Sequence, residues 1–264
     1  MTAPTLRTGS SVPAKRCGCD VHAFGVCAKA SPRLLERLSR ASRIRHFKAG
    51  ETIIADDDDA GLVGHVVDGV LRMQKTMPDG RQQIVGLLMP TDIFGRVFAE
   101  RTNFALEAAT DATLCCFDRS AFESILAQFP ELEHDVLMSV LDELDAAREW
   151  MLLLGCQTVR ERIASFLLIV ARRWPRGLGP ERGTGPTAEI SIPISRQDMA
   201  SYLGTRVETI SRVIQSFARE GLIQILGPQR LEILDFDRLV EISGNFDLSD
   251  SDAIGRQKAV GEAS

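Results

Sequence analysis

SRQDMASYLGTRVETISRVIQSFAREGLIQIL, residues 195–226, decides how the rest of the chain is read. Ser195 is a helix-capping residue type, and Asp198 follows three positions later, where an acidic side chain can reach back to the cap. Ala200 and Leu203 give the predicted helix an apolar face. Gly204 marks a tight turn. Thr205-Arg206-Val207-Glu208 repeats the capping pattern and predicts a second helix. Val207, Ile210, Val213, Ile214 and Phe217 fall on its inner face. Two short helices joined by a glycine turn make a helix-turn-helix. Gly221-Leu-Ile-Gln-Ile-Leu, then Gly227-Pro-Gln-Arg and LEILD, predicts a β-hairpin wing beside it.

The outward residues near the start of the second helix are then candidates for contact with DNA bases: Arg206, Glu208, Thr209, Ser211 and Arg212. A helix presented this way enters the major groove. Arginine grips guanine O6 and N7 with two hydrogen bonds, glutamate accepts from cytosine N4, and serine touches the thymine methyl. For Glu208 the capping pattern is a competing role. Charge is partitioned to match. Residues 155–240 hold 12 Lys+Arg against 9 Asp+Glu, whereas residues 1–154 hold 17 against 22 and residues 241–264 hold 2 against 5. A mildly basic module inside a chain of net charge −5 suits a local DNA contact.

Upstream, the pattern becomes helical from about Arg119. Leu137, Val140, Leu144, Ala147, Met151 and Leu154 recur at alternating steps of three and four, the seam of a coiled coil, and predict a homodimer. Ala147 stands in that seam where a charged residue would oppose pairing. Gly155 is expected to interrupt, and Cys156 to be a buried helix residue. A second apolar helix follows in VRERIASFLLIVARRW, ended by Pro175-Arg-Gly-Leu-Gly-Pro. ISIPI reads as an edge strand, because Pro193 has no N–H for a ladder.

Between Ile44 and Phe117 short β-rich runs alternate with turn signals. Asp68-Gly69 and Pro78-Asp79-Gly80 each separate two such runs and predict hairpins. The four-aspartate run Asp56–Asp59 predicts a solvated loop. Ser31 and Pro32 open a short helix over Ser31–Ser39. Residues 1 to about 14 read as a tail. The fold class expected is α+β: an antiparallel β-roll, a long dimerisation helix and a winged helix-turn-helix. The domains expected are a cysteine-rich segment (1–30), the roll as sensor (31–118), the helix (119–154), the winged module (155–240) and a C-terminal tail (241–264).

KRCGCDVHAFGVCAK, residues 15–29, places Cys17, Cys19 and Cys27 within eleven positions, beside His22, in a chain with six cysteines. No secretory pattern and no apolar run of about 18 residues is present, so a cytoplasmic protein with no membrane span is expected. In that reducing compartment a cysteine cluster reads as metal-binding or redox-active, not as a disulfide framework. No nucleophile–base motif, P-loop or dinucleotide fingerprint appears, and no enzyme is expected.

The chain resembles the Crp/Fnr superfamily of transcription regulators over nearly its whole length. VETISR, Val207 to Arg212, resembles the recognition-helix signature of the FNR branch, in which Glu208, Ser211 and Arg212 would read a half-site of a TTGAT-N4-ATCAA palindrome. LDELDAAREWMLLLG with the following ERIASFLL is similar to the FnrL and FixK groups of α-proteobacteria. The resemblance implies double-stranded DNA and RNA polymerase as partners. It also implies an oxygen-labile [4Fe–4S] cluster on Cys17, Cys19, Cys27 and a fourth cysteine in DATLCCFD, placed at Cys115. Cys116 would face the other way, because side chains alternate along a strand. The family spaces its first two cysteines more widely than Cys17-Gly-Cys19, which leaves two other ligand sets open: His22 for one thiolate, or zinc in place of the cluster. Cyclic-nucleotide binding is not expected, since Arg96 stands where that branch carries a glutamate and no Arg-Ser follows. A haem sensor leaves little local signature but would not account for the cysteines. A cluster-free, thiol- or expression-controlled regulator is the remaining alternative.

Overall fold

The computed structural model describes Cys27 and residues 30–173, 188–192 and 194–244. Cys17, Cys19, His22, the predicted N-terminal tail, residues 245–264 of the predicted C-terminal tail, the loop after the second apolar helix, and Pro193 lie outside them, while residues 241–243 of that expected tail belong to the last helix. Helix α1 (Pro32–Ala41) starts as expected, with Ser31 accepting from the Leu34 N–H and Pro32 in the first turn. Eight strands follow: β1 (Arg43–Phe47), β2 (Thr52–Ile54), β3 (Leu62–Asp68), β4 (Leu71–Thr76), β5 (Gln82–Leu88), β6 (Ile93–Phe94), β7 (Ala105–Ala108) and β8 (Ala112–Asp118). They form two antiparallel four-stranded sheets, ordered β1-β8-β3-β6 and β2-β7-β4-β5. Phe47, Val66, Leu71, Phe94, Leu106 and Leu114 fill the space between them. Asp56–Asp59 form the expected exposed loop.

The two Asp-Gly turns do different work. Asp79-Gly80 closes a true hairpin between β4 and β5, with Gly80 at φ +84°. Asp68-Gly69 does not. It carries the chain from one sheet to the other, since β3 pairs with β6 and β8 while β4 pairs with β5 and β7. Gly69 is at φ +85°, and a side chain there would collide with the Asp111 carbonyl. The sequence signal for a left-handed turn was correct, but it carries no information on which strands pair.

The predicted single helix from Arg119 is two. Helix α2 (Arg119–Leu126) is capped by the Asp118 carboxylate, which accepts from the Ser120 and Ala121 N–H groups. Phe129 then leaves the helical region (φ −132°, ψ 87°) ahead of Pro130, as the residue before a proline does. Helix α3 (Pro130–Cys156) runs through Gly155 without the expected interruption, and it ends where Gln157 becomes extended. A glycine costs a helix only about 1 kcal/mol, and the buried Trp150 and Leu153 hold this last stretch in place. Cys156, expected to be buried, is exposed at the helix end. None of the described helices is long and apolar enough to cross a membrane.

The C-terminal lobe comprises α4 (Val159–Arg173), β9 (Ala188–Ser191), α5 (Arg196–Leu203), α6 (Val207–Arg219), β10 (Ile223–Ile225), β11 (Arg230–Ile233) and α7 (Phe236–Ser243). Its sheet is ordered β10-β11-β9, which puts β9 at an edge as expected and makes the β10–β11 hairpin the wing. Phe166, Leu167, Ile210, Phe217 and Leu231 build its core, and Val70, Ile84, Leu87 and Met89 of the roll belong to the same buried cluster. Polar contacts tie the lobes as well. Arg72 on β4 reaches Glu107 on β7 (2.5 Å) and Asp198 on α5 (2.7 Å), and the Gln83 amide donates to the Ser201 carbonyl (2.7 Å). Trp150 of α3 stacks on Tyr202 of α5, with centroids 3.9 Å apart.

Candidate DNA-binding and cysteine sites

The presentation of α6 begins with α5. Ser195 accepts from the Asp198 N–H (3.0 Å), and the Asp198 carboxylate accepts from the Ser195 N–H (3.4 Å), a complete capping box. Gly204 closes α5 in the left-handed region (φ 61°, ψ 44°) and turns the chain into α6. The second capping box does not form. The cap of α6 is Arg206, not Thr205, and it makes no side-chain bond. Glu208 therefore stands at the second helical position, not the third, and has no capping partner. Among the described residues its carboxylate has no partner, and it lies near the positive end of the helix.

Arg206, Glu208, Ser211 and Arg212 are exposed and Thr209 is half-buried, while Ile210, Ile214 and Phe217 are buried beneath them. Among the described residues, none of the side chains of Arg206, Glu208, Ser211 and Arg212 is engaged in an ion pair or hydrogen bond within the chain. The exposed face continues through Gln215 and Arg219, one and two turns on, which a reading focused on the first turns left out. The far end of α6 is pinned to α4. The Arg160 guanidinium forks onto Glu220 (3.0 and 2.5 Å) and lies 4.7 Å from the Phe217 ring centroid. Hydrogen bonds from Arg160 and Ser216 push the Glu220 carboxyl down to about 2. No local spacing signals this clamp, because its partners are 60 residues apart.

Cys27 and Cys115 belong to a different buried cluster from the DNA-binding lobe. Cys115 lies on β8 in a row that crosses the sheet: Ile44 on β1 faces Cys115, Cys115 faces His65 on β3, and His65 faces Ile93 on β6. This face is covered by α1, α2 and the first turns of α3. Cys27 is buried in the same cluster as Cys115, Leu34, Leu38, Phe122, Leu132 and Val136. Cys116 faces the opposite side, among the residues between the two sheets, where burial pushes its thiol up to about 11. A narrow cavity on the covered face is lined by Cys27, Leu38, Val63, His65 and Phe122. Among the described residues no three metal-ligating side chains converge on one point. A polynuclear centre here would thus draw thiols from outside them, and Cys17 and Cys19 are the chain's cysteines that lie there with the right chemistry. Two buried thiols on one face, with the rest of the donors on the segment leading into Cys27, fit a thiolate-bound cluster.

Helix α3 contributes to both clusters, through Leu132 and Val136 at its start and Trp150 and Leu153 at its end. Leu137, Val140, Leu144, Ala147 and Met151 are all exposed, and Met138, Leu141 and Leu152 widen the stripe. Leu137 is 54% and Met151 64% accessible, far more than a residue packed on its own domain. Leu154 departs from the expected seam. It is half-buried against the C-terminal core, so the exposed stripe ends at Met151–Leu152. Arg96, after β6, is exposed.

Residues 44–129 match the cyclic nucleotide-binding domain family, and residues 161–242 match the Crp-like helix-turn-helix domain family. The chain is 41% identical over 231 residues to the transcriptional activator protein FnrL of Cereibacter sphaeroides, covering 87% of this chain and 92% of that protein. It is 34% identical over 223 residues to the nitrogen fixation regulation protein FixK of Bradyrhizobium diazoefficiens, covering 82% and 92%. The solved structure of FixK2 from Bradyrhizobium japonicum superposes with a TM-score of 0.69 at 29% identity, covering 76% of this chain and 96% of that one. The two-sheet roll, the long apolar-striped helix and the winged helix-turn-helix, together with these likenesses, make this chain a member of the Crp/Fnr family of transcription regulators.

Proposed function

We propose that the chain is an oxygen-responsive activator of the FNR type, binding a TTGAT-N4-ATCAA-like palindrome as a homodimer while a [4Fe–4S] cluster is held by Cys17, Cys19, Cys27 and Cys115. The observation that carries this reading is the shared buried cluster of Cys27, Cys115, Leu132 and Val136. Whatever holds Cys27 against β8 also packs on the first turns of α3. The next turns of α3 carry the exposed apolar stripe, and its last turns, through Trp150 and Leu153, enter the core of the DNA-binding lobe. One helix therefore links the cysteine face, the dimer surface and the recognition module.

When bound, the cluster supplies an oxygen-labile link between the N-terminal segment and the roll. The roles of the chain's own residues follow from position. Cys27 and Cys115, buried against α1, α2 and the first turns of α3, would both be held by the cluster, so the base of α3 is held in one place. Leu137 to Met151 pair with the same face of a second copy, which would set two copies of α6 one DNA turn apart. Glu208, Ser211 and Arg212 read the bases of each half-site, with Arg206 and Thr209 beside them. Release of the anchor would loosen α3 and shift the population away from the paired, DNA-competent form. RNA polymerase is the further partner and the cytoplasm the compartment. No cyclic nucleotide is part of this reading, since Arg96 stands after β6 where that branch carries a glutamate.

Fluorescence anisotropy tests the reading, with a labelled duplex carrying the palindrome and a scrambled control. Anaerobically purified protein is expected to bind the palindrome and to lose that binding after air. A second reading, a cluster-free regulator, is favoured by the exposed Cys156 thiol at the junction of α3 and the DNA-binding lobe. It predicts binding in air that responds to thiol reagents.

A further inference from the structure

The cysteine face holds a histidine that the four-cysteine reading does not use. His65 is only 7% accessible, on a strand whose neighbours are apolar. It is the direct antiparallel partner of Cys115. Side chains alternate along β3, so Val63, His65 and Val67 share one face, and Val63 and Val67 belong to the cluster that contains Cys27 and Cys115. His65 lines the cavity that Cys27 lines. Directly paired residues of an antiparallel ladder have Cβ atoms about 5 Å apart, within reach of an imidazole nitrogen for the neighbouring sulfur. With four thiolates already assigned to the cluster in the FNR-type reading, the role this position leaves to His65 is that of a hydrogen-bonding neighbour.

We infer that His65 is a positioning residue of the cysteine site, its imidazole N–H donating to the Cys115 sulfur and so setting how firmly the cluster is held and how fast oxygen destroys it. This rests on the FNR-type reading above. A donor to a ligating sulfur orients the ligand and raises the potential of the centre, and loss of such a partner typically weakens a metal site 10- to 100-fold.

The test compares anaerobically purified full-length protein with His65→Leu and His65→Gln. Leucine keeps the burial without a donor, and glutamine keeps a donor of similar reach. Iron and sulfide content, midpoint potential, the rate at which the visible absorption disappears in air, and thermal unfolding of each apo-protein are measured. The expected result is a lower potential and roughly tenfold faster bleaching in His65→Leu, with His65→Gln close to the parent and all three apo-proteins folded. Equal potentials and bleaching rates in the parent and His65→Leu would overturn the inference, as would His65→Gln behaving like His65→Leu while folded. A parent protein without iron and sulfide removes the FNR-type reading itself, a distinct failure that takes this one with it.

Discussion

At the scale of single residues, the recognition helix is the clearest case of a role assigned by what a side chain does not touch. Arg212 is exposed, one turn into α6, and without a partner among the described residues, so its guanidinium is available for a base edge. Arg212→Ala is expected to cost about 1–3 kcal/mol of palindrome binding and to relax preference at one position of the half-site, measured by anisotropy across single-base variants. Arg160 works differently, through structure. Its fork holds the Glu220 carboxyl at about 2, below the ordinary value of 4.5. A depressed acid stabilises the fold above its unfolded value, and that stabilisation is lost as pH falls from about 4.5 toward 2. Thermal midpoints of the parent and Arg160→Gln should therefore differ near neutral pH and draw together over that window, the loss of the Phe217 contact leaving a constant offset. Alternation along β8 was enough to separate Cys115 from Cys116 in the sequence, and the two do lie in different cores. The position of Glu208 was not legible. Whether Thr205 or Arg206 caps the helix depends on a shift of one residue, which places Glu208 at the second helical position and not the third.

At the scale of elements, α3 is where sequence pattern and structure agree most closely and where their difference is most instructive. The steps of three and four placed Leu137, Val140, Leu144, Ala147 and Met151 on one stripe, and that stripe is exposed. The ends of the helix were misjudged. Pro130 starts it later than the period suggested, and packing of Trp150 and Leu153 carries it past Gly155. Periodicity reports a face and is silent about where tertiary contacts extend or cut an element. The Asp-Gly turns give the same lesson, since a left-handed glycine fixes a change of direction but not a strand partner. Leu144→Glu puts a charge in the middle of the stripe, 43% accessible in one chain and thus tolerated by the monomer. Sedimentation is expected to show that variant as a monomer at concentrations where the parent is a dimer, with palindrome binding lost and the far-ultraviolet circular dichroism unchanged. Since Ala147 places no charge in the seam, the parent should retain measurable pairing even without its cluster, which the same sedimentation run on apo-protein checks.

At the scale of the whole molecule, the two lobes are joined by contacts that no local pattern encodes. Arg72 and Asp198 are 126 residues apart, and the spacing of neither with its sequence neighbours announces the other. The identity of each lobe was legible because each rests on short-range signals: strand runs with turns, and capped helices with a glycine between. Their docking was not. Arg72 is four-fifths buried between Glu107 and Asp198, so Arg72→Ala leaves two shielded carboxylates without a cation, a loss of order 3–5 kcal/mol. A lower thermal midpoint and a shift in the emission of Trp150, stacked on the Tyr202 of α5, are expected, with partial recovery in Arg72→Met combined with Glu107→Gln and Asp198→Asn. Unchanged emission in Arg72→Ala would mean that apolar packing alone docks the lobes. The same long-range dependence applies to the cysteine face, where Cys27 and Cys115 meet only in the folded chain. The most direct test of the account is anaerobic purification followed by an absorption spectrum, an iron and sulfide count and a palindrome-binding titration, all repeated after admitting air. The account predicts broad visible absorption with about four iron and four sulfide per chain, lost in air together with DNA binding. A colourless protein that binds the palindrome equally well in air would contradict it.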